Sequence, residues 1–421
     1  NMETKLRDFH QARWDEPIIY QLSEPGERGI LLPEIEGDVR RAGEAALQKL
    51  GGNLLRSEAP HLPEIGQMRV PKHYLRLSQE NLGADLNIDV GQGTCTMKYS
   101  PKVNEQLIRS PKLADIHPCQ DLSTVQGALE IMYELDRSLC AISGMDAFSM
   151  QSGGGSQGLY AIISIIRAWV EDTGQLGKKD EIITTIFSHP TNAAVAKLMG
   201  FRLVTIYPGK DGRPDFEAVT SAVNERTAAF MVTNPEDTGL YNSRIREFTD
   251  LVHKAGGICS YDQANLNAII GITRAKEAGF DLCFFNLHKT FSAPHGCGGP
   301  GSGVVGVRDF LKKYLPVPLV AKNPDTGAYY LDYDLPNSVG KIKNFHGNLY
   351  AILKGYAWIR ALGPEGLREV ARVAVLNSNY MMRKVLAMRG ASAPYAEGEF
   401  RMEQTRYSWQ KMREDTGVTT T

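Results

Sequence analysis

A single lysine, Lys289, sits between His288 and Thr290 just after residues 282–285, a short apolar and aromatic run that reads as a buried strand. A lysine at the end of such a strand can lose its proton by desolvation and attack an aldehyde, forming a Schiff base. Other stretches carry groups that such an aldehyde needs. Asp262, in Ser260-Tyr261-Asp262-Gln263-Ala264, offers a carboxylate, and His189, in Ser188-His189-Pro190, an imidazole. Met150-Gln151-Ser152-Gly153-Gly154-Gly155-Ser156-Gln157-Gly158 places glycines at the head of a helical pattern. There, backbone N–H groups approach a phosphate closely and the helix dipole favours its charge.

Amine, acid, ring-facing group and phosphate cup are what pyridoxal 5'-phosphate (PLP) asks of a protein. Asp262 suits the pyridine nitrogen: held protonated, that nitrogen makes the ring an electron sink for a carbanion. His189 can lie on the ring and support proton transfer. Thr233 reaches the 3-hydroxyl region. His288 and Ala264, near the lysine and the aspartate, join Gly154, Gly155, Ser156 and Gln157 in the cofactor-facing set. Each has a plainer reading. Asp262 could cap a helix, Thr233-Asn234-Pro235 could be only a turn, a lone histidine is commonly a satisfied surface or core residue, and glycines before helices are common. Lys289-Thr290 also matches the end of a phosphate-binding P-loop, but Asn286-Leu287-His288 lacks the glycines that motif requires.

The elements that must position these residues form an alternating pattern. Residues 182–187, 203–207, 228–233, 257–261, 282–285 and 303–307 read as short buried strands, with helical stretches near 192–199, 214–224 and 243–255. Leu159, Ile162, Ile163, Ile166, Trp169 and Val170 line one helical face behind the glycines, and another helix spans 124–139. The alternation predicts an α/β fold with a parallel sheet and ligands at the carboxyl ends of its strands. The candidate residues follow those ends. Residues 1–80 read as a proline-broken N-terminal arm that packs on a neighbouring subunit or domain, with an amphipathic helix over 38–50; a loose extension is the alternative. Residues 81–315 form a large cofactor-binding domain, and 316–421 a crossover, a long helical region (341–388) and a small C-terminal domain.

Composition narrows the classes. The 421 residues carry 42% hydrophobic and 23% charged side chains and a net charge of -1, which gives no bulk attraction to nucleic acid or anionic membrane. No apolar run approaches the roughly 20 residues of a membrane span, and no signal-peptide core opens the chain. The six cysteines have no metal-ligand spacing, and a reducing, cytoplasmic compartment is the expectation. No metal ligand set is expected.

The chain resembles the PLP-dependent glycine dehydrogenase (decarboxylating) family, the P-protein of the glycine cleavage system, in its separate subunit 2 form. The matching run is Asn286-Leu287-His288-Lys289-Thr290-Phe291-Ser292-Ala293-Pro294-His295-Gly296, continuing through Gly298–Gly303. Cys95-Thr96-Met97-Lys98-Tyr99, Ala264-Asn265-Leu266-Asn267-Ala268-Ile269 and Val375-Leu376-Asn377-Ser378-Asn379-Tyr380 match as well, so the likeness covers about residues 30–390. It implies a fold-type I PLP enzyme, with an aspartate aminotransferase-like large domain and a small C-terminal α+β domain that is incomplete in this chain. It further implies Lys289 as the Schiff-base lysine, Asp262 at the pyridine nitrogen, His189 on the ring and residues 153–157 as the phosphate cup. The implied reaction is glycine decarboxylation with aminomethyl transfer to a lipoyl carrier (H-protein). A partner subunit lacking the lysine, and hence a homo- or hetero-oligomer, follows. Four stretches depart from the family pattern: 151–159, 189–193, Gln263 and Glu236-Asp237-Thr238. The changes at the cup and at Gln263 motivate one alternative, a divergent stand-alone decarboxylase, lyase or aminotransferase for another amino acid; a non-catalytic binding subunit that kept the fold is a third reading, and the retained Lys289 and Asp262 speak against it. His295, Lys98 and Arg360 are the candidates for holding a substrate carboxylate.

Overall fold

The computed structural model describes residues 15–80, 100–295, 299–402 and 404–419, and the chain divides into two compact units, 1–88 and 89–421. In the first unit, helix α1 (Gly37–Gln48) forms where the sequence marks an amphipathic helix. Helix α2 (Arg69–Glu80) buries His73, whose Nδ1 lies 2.8 Å from Glu16 Oε1.

The second unit begins with α3 (Lys102–Ile108), α4 (Pro111–Ala114) and α5 (Gln126–Ser143), which stops at Gly144 in a left-handed turn, φ 75°. Then β-strands and helices alternate: β1 (Ala147–Ser152), α6 (Gly155–Asp172), β2 (Glu181–Thr185), α7 (Pro190–Leu198), β3 (Arg202–Ile206), α8 (Phe216–Ala222), β4 (Thr227–Thr233), α9 (Ile245–Lys254), β5 (Ile258–Asp262), β6 (Leu282–Asn286) and β7 (Gly303–Val307). The strands form one seven-stranded sheet in the order β1-β7-β6-β5-β4-β2-β3. From β3 to β6 every pairing is parallel, whereas β7 runs antiparallel to both β6 and β1.

The mainly parallel α/β sheet is the expected one, with two differences. The sequence pattern does not mark β1, because Ser149, Gln151 and Ser152 mimic a half-exposed segment although all six residues are buried. Nor does a Val-rich run reveal its direction, so the reversal of β7 emerges only from pairing.

Period-two alternation explains why β6 is buried on both faces. Cys283 and Phe285 enter one core with Phe148, Phe291 and Tyr261, while Leu282 and Phe284 enter the other with Ile162, Ile166 and Val305. Full burial of each such side chain contributes about 1.5–3 kcal/mol. The strand carrying the lysine is therefore a rigid mount. Beyond it, β8 (Leu319–Lys322) and β9 (Tyr329–Asp332) make an antiparallel pair. Helix α10 (Leu349–Leu386) breaks at Gly363, φ 62°, ahead of Pro364, and α11 (Gln410–Thr416) follows.

Candidate active site

Strands β2, β4, β5 and β6 all finish at one edge of the sheet, where β1 also ends and the reversed β7 begins. Thr233, the last residue of β4, stands in register with Asp262, the last of β5, and Asp262 with Phe284 of β6. Lys289 lies three residues past the end of β6, in a turn closed by its own N–H donating to Asn286 O at 3.0 Å. It is 5% exposed. The neighbouring Thr290 Oγ1 accepts from Leu266 N at 2.8 Å, tying the lysine turn to the segment after Asp262.

Asp262 is 4% exposed, and its two oxygens are held by different donors. Ala264 N donates to Oδ1 at 3.1 Å and Asn192 Nδ2 to Oδ2 at 3.2 Å. Burial pushes this carboxyl above its ordinary value; the Ala264 N–H, the nearby Lys289 and His189 charges and the Asn192 amide pull the other way. Ala264 thus serves through its backbone, rather than only through proximity.

His189 is exposed and caps α7, its Nδ1 accepting from Thr191 N at 3.2 Å. In the neutral ring this leaves Nε2 carrying the hydrogen. Pro190 fills the first helical position, where a missing N–H costs nothing, and the helix turn it starts places Asn192 beneath Asp262. His288 is buried; its Nδ1 accepts from Ser302 N at 3.1 Å, and its ring meets His295 edge-on at 4.5 Å between centroids.

The glycine segment bends from β1 into α6. Gly153 N donates to Gln157 Oε1 at 2.7 Å, and Ser156 and Gln157 are exposed on the first turn. The approach to β7 is close: a Cβ on Gly303 would lie 2.5 Å from Gly154 O. Of the carboxylate-holding candidates, His295 is at the site, Arg360 lines a separate cavity with Ser138, Gly271 and Arg274, and Lys98 lies outside the described residues.

One feature runs along this whole edge. Gln151 Oε1, Asn192 Oδ1, Thr233 Oγ1, Gln263 Oε1, Asn286 Oδ1 and Ser302 Oγ are buried and have no hydrogen-bond partner among the described residues. Buried polar groups are nearly always paired, and an orphan costs roughly 1–3 kcal/mol. The grouping of these atoms at one sheet edge marks where a polar ligand would find partners. PLP fits these residues: an amine and an acid adjoin, the Thr233 hydroxyl has no partner among the described residues, and a helix N-terminus entered through Gly153, Gly154 and Gly155 lies alongside. Sequence reasoning missed Asn192, Asn286 and Ser302. The signal available was a polar residue closing an otherwise apolar strand, as Asn286 does.

Comparison with known proteins agrees. An aminotransferase class-V model matches residues 152–322. Among solved structures, a glycine decarboxylase (P-protein) of the glycine cleavage system superposes with TM-score 0.72 at 22% identity, covering 88% of this chain and 86% of that one. A NifS-like protein superposes at 0.56, with 15% identity over 74% of this chain and 78% of its own. Fold and family therefore define a fold-type I enzyme of the PLP-dependent class. At higher identity stand the probable glycine dehydrogenase (decarboxylating) subunit 2 of Pyrococcus horikoshii, 46% identical over 98% of this chain and 80% of that protein, and that of Halalkalibacterium halodurans, 45% identical over 88% and 74%. The chain belongs to the glycine dehydrogenase (decarboxylating) subunit 2 family.

Proposed function

We propose that the chain is the PLP-carrying, catalytic subunit of a glycine decarboxylase of the glycine cleavage type, acting with a subunit 1 partner and a lipoyl carrier. The observation that carries the reading is Lys289 beside Asp262 at adjoining strand ends, ringed by buried polar atoms that lack partners. Family membership supports glycine over both alternatives, a stand-alone enzyme for another amino acid and a non-catalytic binding subunit. Bound at this edge, PLP supplies an electron sink for the pair left behind when the glycine carboxylate departs as CO2.

In this reading Lys289 would hold the cofactor through its Nζ and would place that amine beside the substrate. Asp262, fixed by Ala264 N and Asn192, keeps a proton at the pyridine nitrogen. Thr233 Oγ1 would serve the 3-hydroxyl region, and His189 would face the ring, its Nε2 hydrogen available for proton transfer. His288, anchored by Ser302 N, shapes the wall behind the lysine. Residues 153–157 would cup the phosphate, with the backbone N–H groups of Gly154, Gly155, Ser156 and Gln157 as donors while the Gly153 N–H is held by Gln157 Oε1. The aminomethyl group left by decarboxylation passes to a lipoyl disulfide, which is reduced as it accepts the group.

The test is exchange of labelled bicarbonate into glycine, with the purified chain, subunit 1 and lipoyl carrier. Exchange that requires all three and disappears in Lys289→Ala is the expected result. Binding of another amino acid, with neither binding nor exchange of glycine, would overturn the substrate assignment.

A further inference from the structure

The phosphate cup lacks a cation in the sequence reading: residues 153–157 offer N–H groups and a helix N-terminus, and no positive side chain. The structure brings one from far along the chain. A Cβ built on Gly153 would lie 3.1 Å from Lys343 Nζ and 3.2 Å from Lys343 Cδ, so the side chain lies across the glycine turn. Lys343 is half-buried. None of the hydrogen bonds or ion pairs among the described residues engages its ammonium.

The segment that carries Lys343 is fixed in place. Gln151 Nε2 donates to Phe345 O at 3.0 Å, and Asn348 Nδ2 to Gly301 O at 3.2 Å. Gly347, φ 91°, passes so close to β1 that a Cβ there would lie 2.2 Å from Met150 O. Phe345 adopts φ 64°, a left-handed conformation costly for a non-glycine residue. Three attachments to the end of β1 and to the start of β7 thus hold this loop against the cup, in spite of that strain.

Two positive features, then, converge on one place. The N-terminus of the 18-residue α6 presents unpaired N–H groups and about half a positive charge, and the Lys343 ammonium adds a full one. An independent observation points to a ligand there. Asn286, 3% exposed, makes no side-chain hydrogen bond among the described residues, and its amide donor Nδ2 lies 3.0 Å from where a Cβ on Gly155 would be, placed to donate to an anion at the cup. A dianionic phosphate monoester satisfies both cationic features, and a neutral ligand would leave them facing one another uncompensated.

We propose that Lys343 is the side-chain counter-cation of the phosphate cup, and that it makes the site select phosphorylated over unphosphorylated pyridoxal. The proposal rests on the PLP reading of the site and adds a residue 54 positions beyond the lysine that reading is built on.

The experiment is an absorption titration of the full chain with PLP and, separately, with pyridoxal, for wild type, Lys343→Gln and Lys343→Arg. Wild type should prefer PLP. Lys343→Gln should weaken PLP at least tenfold and leave pyridoxal within twofold, while Lys343→Arg restores most of the PLP affinity. Unchanged PLP affinity in Lys343→Gln, or equal loss for both ligands, would overturn the role of Lys343 and leave the PLP reading standing. A wild-type chain that binds neither ligand would overturn both.

Discussion

The two ends of the seven-stranded sheet differ in how completely they satisfy buried polar groups. At the end where the parallel strands begin, such groups are satisfied. Lys179 Nζ donates to the carbonyls of Glu225, Thr227 and Ala255 at 3.3, 3.0 and 2.9 Å. Asp281 Oδ2 accepts from Cys259 N at 2.8 Å and lies 2.7 Å from His253 Nε2, and Oδ1 accepts from Arg308 at 3.2 Å. His253, Cys259 and Asp281 place donor atoms within 4.8 Å of one another. Even so, Asp281 already engages His253, Cys259 N and Arg308, and burial pushes the Cys259 thiol well up; the trio is a structural hub joining α9, β5 and the start of β6, with Arg308 tying in the end of β7. At the opposite end, six buried polar atoms lack partners among the described residues. The difference separates polar groups that hold the fold from those held ready for a ligand.

The largest expected effect breaks the satisfied end. Asp281→Ala leaves the Cys259 N–H, His253 and Arg308 without their shared acceptor, and should cost about 3–4 kcal/mol of stability in urea unfolding. PLP affinity of the folded variant should not change. A large loss of affinity at preserved stability would erase the distinction between the two ends.

Glu236 sharpens the comparison through pH. This carboxyl, 3% exposed, lies past β4 at the ligand end, accepts from Thr185 Oγ1, and is pushed up to about 7 by burial, with Asp237 beside it adding to the rise. Arg406 Nη2 faces Asp237 Oδ2 at 2.5 Å, and Thr185 Oγ1 touches Ser188 Oγ at 2.8 Å. A folded-state value above the unfolded one means the folded chain holds this proton more tightly. That contribution is complete below pH 4.5 and is lost as pH rises to about 7. Glu236→Gln should therefore match wild type near pH 4 and exceed it by about 3 kcal/mol above pH 7. Parallel stability curves for the two proteins would contradict the assignment.

The smallest effect on stability belongs to Thr233→Val. Removing an orphaned hydroxyl should change the stability of the cofactor-free chain by less than about 1 kcal/mol, and weaken PLP several-fold in the same absorption titration. A stability loss larger than the loss of binding would mean that the hydroxyl serves the fold.

What was legible in the sequence follows the same division. The inner strands announce themselves as apolar runs because both faces are covered, and Lys289 and Asp262 stand out as charges at the ends of such runs. Strand β1 hides because Ser149 and Gln151 are polar yet buried. The direction of β7 depends on pairing that composition does not encode. Asn192, Ser302 and Lys343 enter the site through chain crossings, so no local spacing singles them out. Arg360, a plausible cation in the sequence, lies on α10 at a different cavity. Charge marks a candidate; only the fold tells which strand end it reaches.

The most direct test of the account is borohydride reduction of the purified chain in the presence of PLP, followed by peptide mass mapping. The account predicts a stable phosphopyridoxyl adduct on Lys289, absent in Lys289→Ala even though that variant still binds PLP reversibly. Reduction onto another lysine with equal efficiency in both proteins, or no adduct at saturating PLP, would contradict it.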